Sequence, residues 1–522
     1  MGFHNPITIG PTISNSEMEN DIISRITSRE PNVYLTSKEE TEDKKKFPFK
    51  KRLYAIDKIT LMNFAGTTFI SSVNIAAEYP DEYSKWFSEG IIEGKIEADI
   101  ILTNPRSQAA KDAADNKMFP KGRKKDTDLI INDNINTLLS WKDQNPDAKL
   151  NIRLTDVALP YGIMLAESYQ QPELDYMKVD IYAPIPYTDR NRPSFYLYKS
   201  NDETSKTFDF LRNNISTIWH KSIDYRELSN IDWMNRSVNI IHRGLIDGLT
   251  KEHSITGFYK CIMRKRPMEV DLLFLKSEDG KKQDIVVGRD YRFYSNELEG
   301  SFFLSEITLR QLRKLKTDEC TPLDGEDFPF LFEETMEFGD FLNFVNGRVP
   351  LLIEIKMNYN EPITSISKKV GEILKIIRYY PGKYAFHSAN PLVLACIKKY
   401  DRLIPCGQIT WSFENTNVSD AYKKIHNNFE FLTEYDDRYI VPDFLSCKIQ
   451  EIERIDYYNK MIAFKEKVTN LLGKKFPIIC WTVKTAQERK LANKRDVDNI
   501  IVERPESPCV RLDVSEAKQF LW

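Results

Sequence analysis

Four short segments between positions 238 and 356 constrain the fold more than any other feature of the chain. They read VNIIHRG (238–244), MEVD (268–271), DIVVGRD (284–290) and LLIEIK (351–356), each an apolar run ending in polar residues. Continuous apolar runs of this length read as strands buried on both faces, the kind found in parallel sheets. In α/β barrels the C-terminal ends of such strands are where chemistry is placed. Here those ends carry His242, Glu269 with Asp271, Arg289 and Glu354, which predicts one polar site split across several strands.

The strand–helix rhythm continues to about position 505. KYAFHS, LIPCGQITW, FLSCKI, PIICWTV and VDNIIVE read as further strands, and SISKKVGEILKIIRYY and IDYYNKMIAFKEKVTNLLG as helices between them. That makes nine strand candidates, one too many for an eight-stranded barrel, so one is a hairpin partner or an irregular piece. The span 237–510 suits a (β/α)8 TIM barrel, which takes ~250 residues.

Upstream, 53–236 forms a separate N-terminal α/β domain by its own rhythm. KITLMNFAGTTFIS, KIEADIILTNP, KLNIRLTDVALP, YMKVDIYAP and SFYLYKS read as strands, with helices at DEYSKWFSEGIIEG, 128–142 and 205–222. Its shape resembles half of a phospholipase-D-like unit, but it has no HxK motif, and its function stays unassigned. The stretch NPRSQAAKDAADNKMFPKGRKKD reads as a long loop in which Arg106, Lys121, Arg123 and Lys124 either hold an anion or are simply solvated. Residues 1–52 read as a flexible polar arm with room for one short helix, its basic cluster (44–46 and 50–52) a solvated face, and 511–522 as a C-terminal tail.

A chain of 522 residues with 41% hydrophobic and 29% charged residues is a globular protein of more than one domain. Its formal charge of -3 argues against a protein built around nucleic-acid phosphates. Seven cysteines without CxxC pairs fit neither a disulfide framework nor a zinc site. The start MGFHNPITIG lacks a secretory signal's basic and apolar regions, and no apolar run approaches the ~18 residues of a membrane span. A cytoplasmic protein without integral membrane association is expected; the oligomeric state is left open.

Glu269 and Asp271, two apart on a strand, point to one face. Buried there, two carboxylates are costly unless a cation relieves them, and Glu354 from another strand can complete an oxygen site for Mg²⁺ or Ca²⁺. The alternative is that Glu269 or Glu354 pairs with Lys356 or Arg243. His242 can move a proton near neutral pH, Arg243 can grip phosphate, and Gly244 lets a ligand approach the backbone.

Taken in order, these segments resemble the glycerophosphodiester phosphodiesterase family, whose fold is a phospholipase-C-like TIM barrel. IIHRG resembles the family's opening HRG motif. TKEHSITGF resembles its PENT segment, with Glu252 kept and His253 and Ser254 in the Asn and Thr places. MEVDLLFLKSEDG resembles its ExD strand and Asp-Gly turn. SEITLRQLRKL and FGDFLNFVNGRVPLLIEIK resemble the stretch ending at the third acidic ligand, and PIICWTV and VDNIIVERP the closing signatures. The resemblance covers about 237–506. It implies His242 as catalytic acid/base, Glu269, Asp271 and Glu354 as ligands of a divalent metal, Glu252, Arg243 and Lys356 around metal and phosphate, and Trp481 lining the pocket near the leaving group.

One position departs from the pattern. The family's second acid/base histidine ends its third strand, and that place here holds Arg289. A guanidinium cannot shuttle a proton, though it can stabilise transition-state charge. Either His253 or His387 supplies the missing proton transfer, or the leaving group needs no acid, or the barrel binds without turnover. The expected function is therefore a metal-dependent hydrolase of a glycerophosphodiester or similar small phosphodiester, in lipid metabolism. The alternative is a catalytically inactive barrel that binds a phosphorylated ligand as a sensor or regulatory protein. A lyase acting on lipids ranks third, because it needs a membrane-docking surface that the sequence does not offer.

Overall fold

The computed structural model describes residues 33–36, 56–65, 70, 82–115, 127–172, 175–181, 193–199, 204–234, 238–246, 250–280, 282–323, 327–412, 423, 426–427, 429, 433–435, 438–472 and 475–503. The chain divides into two compact units, Met1–Glu227 and Leu228–Trp522.

In the first unit one mixed sheet has the order β1-β7-β6-β5-β2-β3-β4-β8. The strands are β1 (Val33–Thr36), β2 (Lys58–Asn63), β3 (Glu97–Thr103), β4 (Leu150–Thr155), β5 (Tyr161–Glu167), β6 (Tyr176–Ile181), β7 (Pro193–Tyr198) and β8 (Ile223–Asp224). β2, β3 and β4 run parallel, and β5 begins an antiparallel run through β6 and β7 to β1. Met62, Ile101, Ile163, Leu165, Met177 and Val179 form a core with Phe208, Leu211 and Ile215 of the helix Thr204–Lys221.

Three expectations change here. The strand β5 is not anticipated, because its apolar run follows β4 after only five residues and reads as a continuation of it. The supposed loop after β3 contains a helix, Gln108–Asp115, whose buried residues are the small Ala110 and Ala113, so no large apolar side chain marks it in the sequence. The polar arm contains β1, paired with β7. Lys121, Arg123, Lys124, the basic residues 44–46 and 50–52, and the tail 511–522 lie outside the described residues.

The second unit is a closed barrel of eight parallel strands in the order β9-β10-β15-β16-β17-β20-β21-β22, with β22 returning to β9. They are β9 (Ile240–His242), β10 (Met268–Phe274), β15 (Leu351–Ile355), β16 (Tyr384–Ser388), β17 (Cys406–Thr410), β20 (Phe444–Lys448), β21 (Ile478–Val483) and β22 (Asn499–Val502). The ninth candidate, β11 (Ile285–Val287), is not a parallel barrel strand: it pairs antiparallel with Leu272–Phe274 of β10. β9 stops at His242, opposite Glu269, so the rest of that edge of β10 has free backbone groups, and β11 folds back to pair with them.

Between β11 and β15 the chain inserts a small sheet of β12 (Arg292–Ser295), β13 (Gly300–Phe303) and β14 (Cys320–Pro322). Phe293, Phe328, Phe330 and Phe332 pack with Leu304, Ile307 and Leu312 as its own core, which also takes in Val286 of β11. Two further strands, β18 (Thr433–Tyr435) and β19 (Arg438–Ile440), pair between β17 and β20.

Strand alternation sorts the barrel residues into two sets. Ile241, Met268, Val270, Leu351, Ile353, Phe386, Cys406, Leu445, Cys480 and Val502 join the core shared with the surrounding helices. Ile240, Leu352, Ala385, Phe444, Ile479 and Ile501 form a separate cluster inside the ring. Phe444 fits there because Gly407, its lateral partner on β17, has no side chain; a Cβ at Gly407 would overlap the Phe444 ring. This layer closes the barrel floor.

Candidate active site at the barrel mouth

Two residues beyond each floor position the inward side chains turn polar. Ile240 is followed by His242, Leu352 by Glu354, Ala385 by His387, Phe444 by Ser446, Ile479 by Trp481 and Ile501 by Glu503, while β10 adds Glu269 and Asp271. Lateral register aligns Asp271 with Glu354, and Glu354 with His387. The period of two that buries the floor therefore also gathers the functional groups.

Asp271 is fully buried between two cations. Its Oδ1 accepts a hydrogen bond from Lys356 Nζ, and its Oδ2 lies 2.6 Å from Arg243 Nε. Burial opposes its ionisation, but Lys356 and Arg243 outweigh that and hold its carboxyl well below the usual range. Lys356 Nζ also lies 2.7 Å from Glu354 Oε2, and Arg243 Nη1 donates to Glu252 Oε2 at 3.0 Å. Arg243 is thus tied to two carboxylates, at a backbone φ of 54° set by the turn leaving β9.

Glu269 has the opposite environment. Burial and the neighbouring Asp271 push its carboxyl well above the ordinary value, and burial raises Glu354 to about 7. His242 Nε2 lies 3.9 Å from Glu269 Oε2. Burial and the adjacent Arg243 push its imidazole well below 6.5, so the ring is neutral at physiological pH and able to accept a proton.

The two spare histidines lie beside Asp271 and Glu269. His253 is buried, and its Nε2 accepts a hydrogen bond from the Asp271 backbone N–H at 3.3 Å. His387 turns toward Glu269, with Nε2 3.9 Å from Glu269 Oε1, and burial pushes both rings down to about 3. Arg289 follows β11, half-buried, with its guanidinium 5.8 Å from the Tyr291 ring centroid. Trp481 donates from Nε1 to the Ser446 carbonyl and meets Trp411 edge-on, centroids 6.1 Å apart.

The residues present suit a divalent cation. One ligand atom each from Glu269, Glu354 and His387 lie within 4.8 Å of one another, and Glu269 Oε2 is buried without a hydrogen-bond partner. Asp271, the third expected ligand, lies beside this group, in lateral register with Glu354 and paired with Lys356 and Arg243. The sequence reading missed Ser446 and Trp411. The period of two from Phe444 points to Ser446, and Trp411 directly follows the LIPCGQIT strand.

An acid-and-histidine site thus lies over an apolar floor at the C-terminal ends of the strands of a (β/α)8 barrel, the end at which such barrels place their chemistry. The glycerophosphoryl diester phosphodiesterase family model matches residues 242–507, just over half of the sequence, and the chain belongs to that family. Among solved structures it is similar to a candidate glycerophosphoryl diester phosphodiesterase from Silicibacter pomeroyi, with 15% identity, a TM-score of 0.39, and coverage of 54% of this chain and 95% of that one. The glycerophosphodiester phosphodiesterase of Thermotoga maritima gives 17% identity and a TM-score of 0.35, over 51% and 94% of the two chains. An Oleispira antarctica phosphodiesterase, solved with its product sn-glycerol-3-phosphate, gives 12% and 0.35, over 55% and 98%. Membership rests on the family match and not on these scores. Comparison with curated proteins gives no match.

Proposed function

We propose that the barrel is a metal-dependent phosphoric diester hydrolase acting on a glycerophosphodiester or a similar small phosphodiester. The observation that carries this reading is the group of Glu269, Glu354 and His387, whose ligand atoms lie within 4.8 Å of one another, with His242 beside Glu269 and with Arg243 and Lys356 beside Asp271. A divalent cation at Glu269 and Glu354 would polarise a phosphoryl oxygen when bound. His242, neutral and beside Glu269, takes the proton from the attacking hydroxyl or water. Lys356 and Arg243 fix Asp271, and their positive charge favours an anionic substrate entering the mouth. Trp481 and Trp411 form an apolar wall for the leaving group. Mg²⁺ and Ca²⁺ suit the two carboxylates.

The six described cysteines are free thiols, and no described helix is long and apolar enough to cross a membrane. The free thiols accord with a cytoplasmic enzyme.

The test is release of glycerol phosphate from glycerophosphodiesters, with and without EDTA, in the wild type and His242→Ala. Loss of ~10²–10⁴ in rate in the variant, and loss on chelation, is expected. Full activity in either case removes the mechanism.

A second reading is a barrel that binds a phosphorylated ligand without turnover. It is favoured by the commitment of His253 Nε2 to a backbone N–H and by the guanidinium of Arg289 after β11. It predicts saturable glycerol phosphate binding with no product, and multiple turnover by pure protein would eliminate it.

A further inference from the structure

Eight strands close the ring, so β20 stands four places from β10 in either direction and faces Glu269 and Asp271 across the mouth. Lys448 ends β20. Phe444 of that strand belongs to the floor cluster, and alternation turns Ser446 and then Lys448 to the same inner side. Lateral register agrees: Cys447 pairs with Cys480, both in the outer core, and Lys448 pairs with Trp481, which packs on the floor cluster. Lys448 is exposed and forms no ion pair among the described residues. Lys356 and Arg243, by contrast, are committed to Asp271, Glu354 and Glu252. Arg289 follows β11, which pairs with β10 on the other side of the ring. Glu503, beyond Trp481, is taken by Lys484 at 2.6 Å.

The strands beside β20 carry two indoles, Trp481 on β21 and Trp411 directly after β17, with centroids 6.1 Å apart. The hydrogen bond to the Ser446 carbonyl fixes Trp481 in place. A pair of indoles alone suits a cationic leaving group such as a quaternary ammonium. An ammonium beside them reverses that preference, because like charges repel and its three donors meet an anion.

We propose that Lys448 determines specificity for the leaving group, and that the barrel takes glycerophosphodiesters whose leaving alcohol carries its own anionic group, a phosphate or a carboxylate. The proposal rests on the hydrolase reading above and deepens it. The reacting phosphate lies on the β10 and β15 side, with Lys356 and Arg243. The leaving alcohol extends across the mouth over the indoles, and its distal anion meets the Lys448 ammonium at the rim. The lysine stem is long and flexible, so the contact requires the charge and tolerates different anions.

The experiment uses the full chain and three diesters that share the glycerophosphate half: glycerophosphoinositol, glycerophosphoinositol 4-phosphate and glycerophosphocholine. Both kcat/KM and calorimetric Kd are measured for the wild type, Lys448→Gln, Lys448→Glu and Lys448→Arg. In the wild type the phosphorylated inositol ester is expected to exceed the unphosphorylated one by about five- to tenfold, with the choline ester lowest. That ratio should shrink with added salt. Lys448→Gln should bring it near one, and Lys448→Arg should keep it. Lys448→Glu should invert it and raise the choline ester relative to the plain inositol ester. Each ratio is taken within one variant, so partial loss of folded protein lowers both terms and leaves it unchanged. Equal rates on the two inositol esters in the wild type, or a preference that survives Lys448→Glu, overturns the assignment and leaves the hydrolase standing. If nothing is cleaved the hydrolase reading falls, and the same ratios in Kd decide whether Lys448 reads the ligand's charge. Absence of both turnover and binding overturns both.

Discussion

Arg243 offers the sharpest test of the site's electrostatics. Its guanidinium lies 2.6 Å from Asp271 Oδ2 through Nε and donates to Glu252 Oε2 at 3.0 Å through Nη1. The side chain is 11% exposed and Asp271 is fully buried. Arg243→Lys keeps the charge but not the planar fork, whose Nε and Nη1 address Asp271 and Glu252 from two different edges, so one of the two contacts is expected to be lost. Loss of one hydrogen bond to a charged group costs about 1.5–3 kcal/mol. Arg243→Met removes the cation, leaving Glu252 without it and Asp271 with Lys356 alone; breaking a buried pair in this way costs about 3–5 kcal/mol. Backbone strain at φ 54° is common to all three residues and cancels. With ~2–4 °C per kcal/mol for a domain of some 150–250 residues, the lysine variant should melt about 3–12 °C lower and the methionine variant about 6–20 °C lower. The barrel unit is longer than that range, so the lower ends apply. Calorimetric melting of wild type and both variants in one buffer measures the order. If the two variants melt together, or lysine is worse than methionine, the guanidinium does not bridge two carboxylates.

Three further outcomes are expected. Gly407→Ala should destabilise the barrel by about 1–3 kcal/mol by overpacking Phe444, and Phe444→Leu in the same chain should restore part of it; equal melting of Gly407→Ala and wild type in denaturant titration would contradict the floor geometry. Asp498 accepts from Lys465 and the Ile478 N–H, and burial of its carboxyl is outweighed by Lys475 and Lys465, which lower its pKa. Because its folded pKa lies below its unfolded value of ~3.9, its stabilisation is complete above that value and is lost as pH falls through the folded pKa. Asp498→Asn should therefore cost about 1.5–3 kcal/mol at neutral pH, and denaturant midpoints should show that gap closing in acid. Burial raises Glu354 to about 7, and a protonated carboxyl cannot ligate. Cation affinity by calorimetry should fall by up to about tenfold per pH unit below that point; a flat profile from pH ~8 to ~5 would place the cation elsewhere.

The barrel strands were legible because each is a short apolar run, and the count of nine correctly required one odd piece. Which piece was odd was not legible: DIVVGRD reads like its neighbours, and only the early end of β9 at His242 leaves an edge for it to pair against. The helix Gln108–Asp115 was hidden because alanines alone cover its buried face. In the site, Glu269 and Asp271 share a face by spacing, as expected. Their different states follow from Arg243 and Lys356, which approach Asp271 from the ends of β9 and β15, and from the burial of Glu269 beside Asp271. Lateral register between strands tens of residues apart leaves no local trace in sequence.

The short β9 has a consequence for how such a chain can diversify. Arg289 leaves the antiparallel β11, outside the closed ring, and the insertion downstream packs on its own phenylalanine core. Substitutions in the three-stranded part of the insertion, residues 290–323, can therefore re-aim that guanidinium with little effect on the eight strands that carry Glu269, Glu354 and His387. In such a design the placement of that guanidinium and the ring geometry can drift apart, one in an appendage with its own core and the other in a rigid staved cylinder.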